Sequence, residues 1–199
     1  MSIADTVRVY LNSRPYTLIS LESGIVNYSA LSRLVCKELN IENYSAVKAG
    51  IRRYAKQAIK SRRDLELRAR GIFEGNKITL LDGVSVVISH DRLNIKNDAE
   101  VRLGDYYAYF TDKNIAREIA RRKKTGIIKI RESCSALIIY SGNRLENEVG
   151  ALAFITSVLA SQNINIIETV SCYDRTIFVV DKKDALRSYG LISEATQVH

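Results

Sequence analysis

The sequence has no tryptophan, one proline, two histidines and three cysteines. Cys36, Cys134 and Cys172 form no C-x-x-C pair and are odd in number, which speaks against both a zinc ribbon and a closed disulfide framework and leaves reduced thiols as the expectation. His90 and His199 lack partners at metal-ligand spacing, so no metal site is expected. The glycines offer no G-x-x-x-x-G-K-[ST] loop to cradle a nucleotide phosphate. No Ser/His/Asp set or paired carboxylates can be assembled either, so the expectation is a protein that is not an enzyme and needs no cofactor. The opening MSIADTVRVYLNSRPY carries Asp5 and no long apolar core, unlike a signal peptide. No apolar run approaches the ~20 residues needed to span a membrane. These features predict a soluble, cytoplasmic chain with no membrane partner.

What is present is unevenly distributed. The 199 residues carry a net charge of +8 and are 46% hydrophobic, enough for an ordinary packed core. Residues 1–80 hold fourteen Lys/Arg against seven Asp/Glu, whereas residues 81–199 hold sixteen against fifteen. An excess confined to the first two-fifths predicts separate domains with different partners.

Within residues 1–80, a first helix is expected over 2–12, ended by Arg14-Pro15 because the residue before proline is pushed out of the helical region. A short helix follows to Ser23, closed by Gly24. Asn27 or Ser29 caps the next, through Leu39. After a turn at Asn40 to Asn43, NYSAVKAGIRRYAKQAIKSRR places Val47, Ile51, Tyr54 and Ala58 on one helical face. Lys48, Arg52, Lys56 and Lys60 run along the other, with Arg53 beside them. Two helices with cations outward fit a helix-turn-helix, and these five residues are the expected DNA contacts, neutralising phosphates in a salt-dependent way. Gly75-Asn76 and Asp82-Gly83 are hairpin-turn pairs, so strands around them, with Arg68, Arg70 and Lys77, predict a basic wing. A weaker reading has Tyr28, Tyr44 and Tyr54 stacking on RNA bases.

The remainder repeats itself. VVISHDRL (Val86–Leu93) aligns with IIYSGNRL (Ile138–Leu145), and YAYFTDKNIAREI (Tyr107–Ile119) with TIFVVDKKDALRS (Thr176–Ser188). The first copy is seventeen residues shorter between its two matches, which predicts that a helix and a strand have been lost from it. The fuller copy reads as strand Ser135–Tyr140, helix Val149–Ser161, strand Asn165–Ser171, strand Arg175–Val180 and helix Lys182–Ser188. That is the βαββα part of a ferredoxin-like unit, with Gly126–Ile130 as the candidate fourth strand.

The stretch NEVGALAFITSVLASQNINIIETVSCYDRTIFVVDKKDALRS resembles an ACT domain of the type found in the regulatory part of aspartate kinases. Asn147, Gly150, Leu152, Ile155, Leu159, Asn163, Ile164, Asn165, Ile166, Ile177, Phe178, Val180 and Asp184 carry the likeness, which spans about Ser135–Tyr189. RPYTLISLESGIVNYSALSRLV also looks like an archaeal family that joins a helix-turn-helix-like segment to such a domain. The helices and turn pairs, the repeat and the resemblance together predict an α+β chain: a winged-helix-like domain (1–80), a shortened ACT-like repeat (84–131) and an ACT-like domain (134–199). The resemblance implies pairing of chains into a homodimer or higher even oligomer. It also implies an amino-acid effector held between the loop Asn147, Glu148, Val149, Gly150, Ala151 of one chain and Asn163, Ile164, Asn165 of its partner. The chain departs from the family at Val149, where proline is common, and Glu148 sets a negative charge where an effector carboxylate would sit.

Two functions fit this reading: a DNA-binding transcription regulator with a C-terminal sensor, or an amino-acid-responsive module that controls a partner enzyme, its basic segment docking on an acidic protein. No catalytic half of an aspartate kinase is present in the sequence.

Overall fold

The computed structural model describes residues 2–122 and 125–197; the side chains of residues 22, 57–67, 70, 143 and 146 stand outside that description. The chain divides into two compact units, Met1–Leu67 and Arg68–His199.

The described residues of the first unit form helices. The Ser2 hydroxyl accepts the Asp5 amide to start α1 (Ile3–Asn12). Pro15 opens α2 (Pro15–Glu22) at a position where a missing N–H costs nothing. The Asn27 side chain accepts the Ser29 and Ala30 amides to start α3 (Tyr28–Leu39). Asn40 ends α3 in the left-handed region at φ 53°, where asparagine is tolerated. Asn43 then caps α4 (Tyr44–Phe73) through the Ala46 amide. Val7, Leu11, Leu21, Val35, Val47 and Ile51 are fully enclosed between these helices. Val47 and Ile51 thus occupy the inward face that their spacing predicts.

The wing is not formed. LELRARGIF continues α4 to Phe73 instead of entering a strand. Ala69, Ile72 and Phe73 recur at helical spacing and are all buried, so the helical register satisfies them and overrides the local turn signal. Gly75, at φ 69°, closes the helix rather than a hairpin. Asp82-Gly83 does not turn the chain either, but forms a bulge inside β1 (Ile78–Ser89). The boundary between units therefore falls within α4, ahead of the expected position at residue 80, because Ile72 and Phe73 belong to the core of the second unit.

The second unit carries one antiparallel six-stranded sheet of order β2-β3-β1-β4-β6-β5. Its further strands are β2 (Ala99–Leu103), β3 (Tyr106–Asp112), β4 (Ile127–Tyr140), β5 (Ile166–Cys172) and β6 (Arg175–Asp181). Its helices are α5 (Lys113–Arg121), α6 (Ala151–Ser161) and α7 (Ala185–Thr196). The two central strands are long enough to serve both repeats. Ile78–Asp82 pairs with Ser135–Ile139, while residues 84–89 pair with residues 127–134. Each repeat therefore takes its fourth strand from the other's first: Ile78–Asp82 completes the second repeat, and the beginning of β4 completes the first. The expected use of Gly126–Ile130 in the second repeat is corrected accordingly. Gly83 and Ser133, both at positive φ, lie where the pairing register shifts between the two halves.

Alternation along the strands separates three cores. Leu137, Ile139, Phe178 and Val180 pack with Ile155 and Leu159 of α6 and Ile192 of α7. Val87 and Tyr109 pack with Ala116 and Ile119 of α5. Val84, Val86, Phe110, Cys134, Ala136 and Val179 form a third cluster drawn from both halves of the sheet.

The first repeat has lost its helix but kept its strand, β2, contrary to the expectation that both were gone. Residues 90–98 take the place of the helix. Leu93 is buried, and its amide donates to the Tyr109 hydroxyl at 2.7 Å. The Thr111 hydroxyl donates to the Lys96 carbonyl at 2.6 Å.

Asp82, beside the bulge, accepts from Lys182 Nζ at 2.7 Å and from the Ser135 hydroxyl at 2.9 Å. The Lys182 bond, then the Ser135 bond and the Gly83 amide, hold its pKa at about 2, below the ordinary 3.8. A depressed carboxylate contributes stability that is fully present above its unfolded pKa and is lost as pH falls through its folded pKa. The contribution of Asp82 therefore disappears as pH drops from about 4 towards 2. Asp82→Asn is expected to flatten that segment of the stability–pH curve, measured by urea unfolding at successive pH values. An unchanged slope between those pH values would reject the assignment.

Candidate functional site

Two regions hold the residues singled out in the sequence, and they lie in different units. The first is the loop that joins β4 to α6. After Tyr140, the Ser141 amide donates to the Asp174 carbonyl at 2.9 Å, and a 3-10 turn spans Gly142–Asn147. Glu148 is extended and half-buried, Val149 is 72% exposed, and Gly150 sits at φ 89° ahead of α6. That φ favours glycine, because a Cβ would clash with the backbone carbonyl. Gly150 has no side chain with which to cap α6, and no acid stands in the helix's first turn. A helix start of this kind favours an anion through its backbone amides and dipole. Ala151 is buried in the core below.

Asn163, Ile164 and Asn165 follow the other end of α6. Asn163, at φ 57°, is the left-handed residue that terminates the helix. Its amide donates to the Ala160 carbonyl, and the Ile164 amide donates to the Leu159 carbonyl, the pair of bonds that defines a Schellman ending. Ile164 is core. Asn165 alone of the three is exposed without a structural duty evident in its contacts. α6 has eleven residues, so at 1.5 Å per residue its ends lie about 16 Å apart. Within one chain the loop and the Asn-Ile-Asn segment are thus held apart, and the structure does not bring the eight expected effector residues together.

The second region is the outer face of α4. Arg52, Arg53 and Lys56 are exposed and Lys48 is half-buried. With Ser45 and Ala49 they line a concavity of about 510 Å³. Lys48 Nζ donates to the Ser29 hydroxyl at 2.8 Å and lies 5.7 Å from the Tyr44 ring. The Arg52 guanidinium lies 5.9 Å from the Tyr28 ring. The Ser29 bond, with Lys48 and Arg33 nearby, lowers the Tyr44 pKa. Four of the five expected cations thus share one face; Lys60 lies outside the described side chains. Tyr28 and Tyr44, two of the tyrosines named for RNA stacking, each lie near one of these cations, and the Tyr54 hydroxyl bonds Asn12. Asn40 provides the positive-φ turn residue between α3 and α4, in the role glycine often takes. Spacing alone did not reveal it.

Among the described residues no three His, Cys, Asp or Glu side chains converge to hold a metal ion, and no helix is long and apolar enough to cross a membrane. His90 Nδ1 lies 3.3 Å from the Asp105 carbonyl.

No protein-family model matches the sequence, and no curated protein is detectably similar to it. Solved structures are similar in fold. The ligand-free regulatory subunit of aspartate kinase from Thermus thermophilus matches 63% of this chain and 99% of its own, with a TM-score of 0.50 and 11% identity. The regulatory subunit of aspartate kinase from Thermus flavus matches over the same shares with the same TM-score and 14% identity. The matched share is about the size of the second unit, whose sheet and helices have the fold of an aspartate kinase regulatory subunit.

Proposed function

We propose that the chain is an amino-acid-responsive regulatory module that works as a pair and controls a partner, rather than a catalyst. The supporting observation is the start of α6 at Gly150, a positive-φ glycine with no side chain of its own to cap the helix, set in a fold shared with regulatory subunits. Because the loop Asn147–Gly150 and Asn165 stand at opposite ends of α6, a second copy must supply the other half of an effector site. The effector's carboxylate would meet the α6 amides, and the Asn165 amide of the partner would meet its polar end. Glu148, inside the same loop, would oppose that carboxylate unless the effector's ammonium group meets it.

The test is thermal unfolding in the presence of each common amino acid, with sedimentation run alongside. A ligand at one hundred times its dissociation constant adds about 2.7 kcal/mol. For a chain of this size that raises the melting temperature by about 5–10 °C. Asn165→Ala should abolish the shift. No shift with any amino acid at millimolar concentration, or a shift in a strictly monomeric protein, would sink this reading.

A second reading, DNA binding through the first unit, is favoured by one observation: α3, a short turn and α4 present Lys48, Arg52, Arg53 and Lys56 outward with no ion pair to any of them among the described residues. Each phosphate contact contributes about 0.9 to the slope of log affinity against log salt. Arg52→Ala with Lys56→Ala is therefore expected to reduce that slope by about 2, read by fluorescence anisotropy on a labelled duplex. An unchanged slope leaves this face for an acidic protein partner.

A further inference from the structure

The C-terminal turn of α4 and the loop before α6 are held by the same few side chains, all within the second unit. A helix end exposes carbonyls that need partners. At the end of α4 the Ile72 carbonyl receives Arg144 Nη2 at 3.0 Å and the Asn76 side-chain amide, while the Asn76 backbone amide donates to the Phe73 carbonyl. The same Arg144 Nη2 lies 3.2 Å from Asn76 Oδ1. Arg144 belongs to the 3-10 turn that leads into Asn147–Gly150, so the loop supplies the cation that caps α4, in the orientation the helix dipole favours. On the apolar side, Phe73 stacks against Phe154 of α6 with ring centroids 6.4 Å apart, and Leu145 and Ala151 share its core. One segment, residues 144–154, thus grips the helix end through one Arg144 nitrogen shared between two acceptors and through an aromatic contact.

We infer that this loop and the last turn of α4 open and close as one unit, with Arg144 as the coupling residue. The coupling is a property of the chain itself. Its regulatory meaning, that an effector seated at Gly150 changes the hold on α4, rests on the proposed function. α4 is the element through which Arg68–His199 is joined to the residues before it, so its last turn is where a signal from the loop would leave the second unit.

Amide hydrogen exchange on the full chain tests this. Gly150→Ala strains the loop at its positive φ while leaving open space for the added methyl. The expected result is faster exchange, by roughly three- to tenfold, both at 147–153 and at 70–76. Arg144→Ala should itself accelerate 70–76 and remove any further effect of Gly150→Ala there. Arg144→Met keeps most of the aliphatic stem without the donors, and should behave as the alanine variant does. Wild-type exchange at 70–76 in Arg144→Ala overturns the inference. So does Gly150→Ala accelerating 147–153 alone, or Arg144→Met behaving as wild type. An amino acid that raises the melting temperature without protecting 70–76 also overturns it and leaves the effector reading standing. Coupled exchange with no amino-acid shift supports the coupling and removes the effector reading.

Discussion

Replacing Phe73 by alanine is expected to destabilise the second unit by about 3–5 kcal/mol, lowering its melting temperature by roughly 6–20 °C. Phe73 is 2% exposed and packs in the cluster that holds Leu137, Ile139, Ile155 and Phe178. It comes from the end of α4, whereas those four come from β4, α6 and β6. Truncation removes the ring and leaves a cavity that a rigid sheet and two helices cannot fill. It also removes the stack on Phe154. Phe73→Leu, which nearly conserves volume, should cost less than about 1.5 kcal/mol. Calorimetry on both variants distinguishes the cases. A loss below about 1 kcal/mol for alanine would mean that the last turn of α4 is not part of this core.

Gly126→Ala is expected to cost about 1–2 kcal/mol, chiefly from backbone strain. Gly126 sits at φ 83°, where an L-residue pays a left-handed penalty. An added Cβ would also meet the carboxylate of exposed Asp91, which must turn aside to admit it. The backbone cannot retreat easily, because the Gly126 carbonyl accepts the His90 amide at 2.9 Å and the Ser89 hydroxyl at 3.1 Å. Combining the change with Asp91→Ala should recover the overlap and leave the φ strain, a non-additivity that a double-mutant cycle measures by chemical unfolding. Strict additivity would show that the two residues do not meet.

Local chemistry wrote much of the fold into the sequence. Pro15 divides the first two helices, Asn27 starts the third, and Val47 and Ile51 face inward, because caps, a fixed φ and apolar spacing act over a few residues. The two copies of strand, Asp-Lys and helix were visible as a repeat because equal structural roles keep equal patterns. The fold of the candidate sensor was legible for the same reason, down to α6, β5 and β6. The loop and the cationic face were legible as residue types in a row.

What depended on distant residues was not legible. Gly75-Asn76 and Asp82-Gly83 are turn pairs in any short window. Only the core that receives Ile72 and Phe73 makes the first a helix end, and only pairing with a strand some fifty residues away makes the second a bulge. The exchange of fourth strands between repeats is a register relation between β1 and β4 that no local pattern encodes. The short strand β2 was overlooked because its helix is gone and residues 90–98 cover its place. The sequence by itself determined the helices α1 to α3 and α6, the strands β5 and β6, and which faces are apolar or cationic, because those rest on short-range properties of side chains. The tertiary structure alone decided that Ile72 and Phe73 enter the core of the second unit, that β1 and β4 exchange strands between the repeats, and that Arg144 reaches back to α4, because each follows from where the chain returns in space.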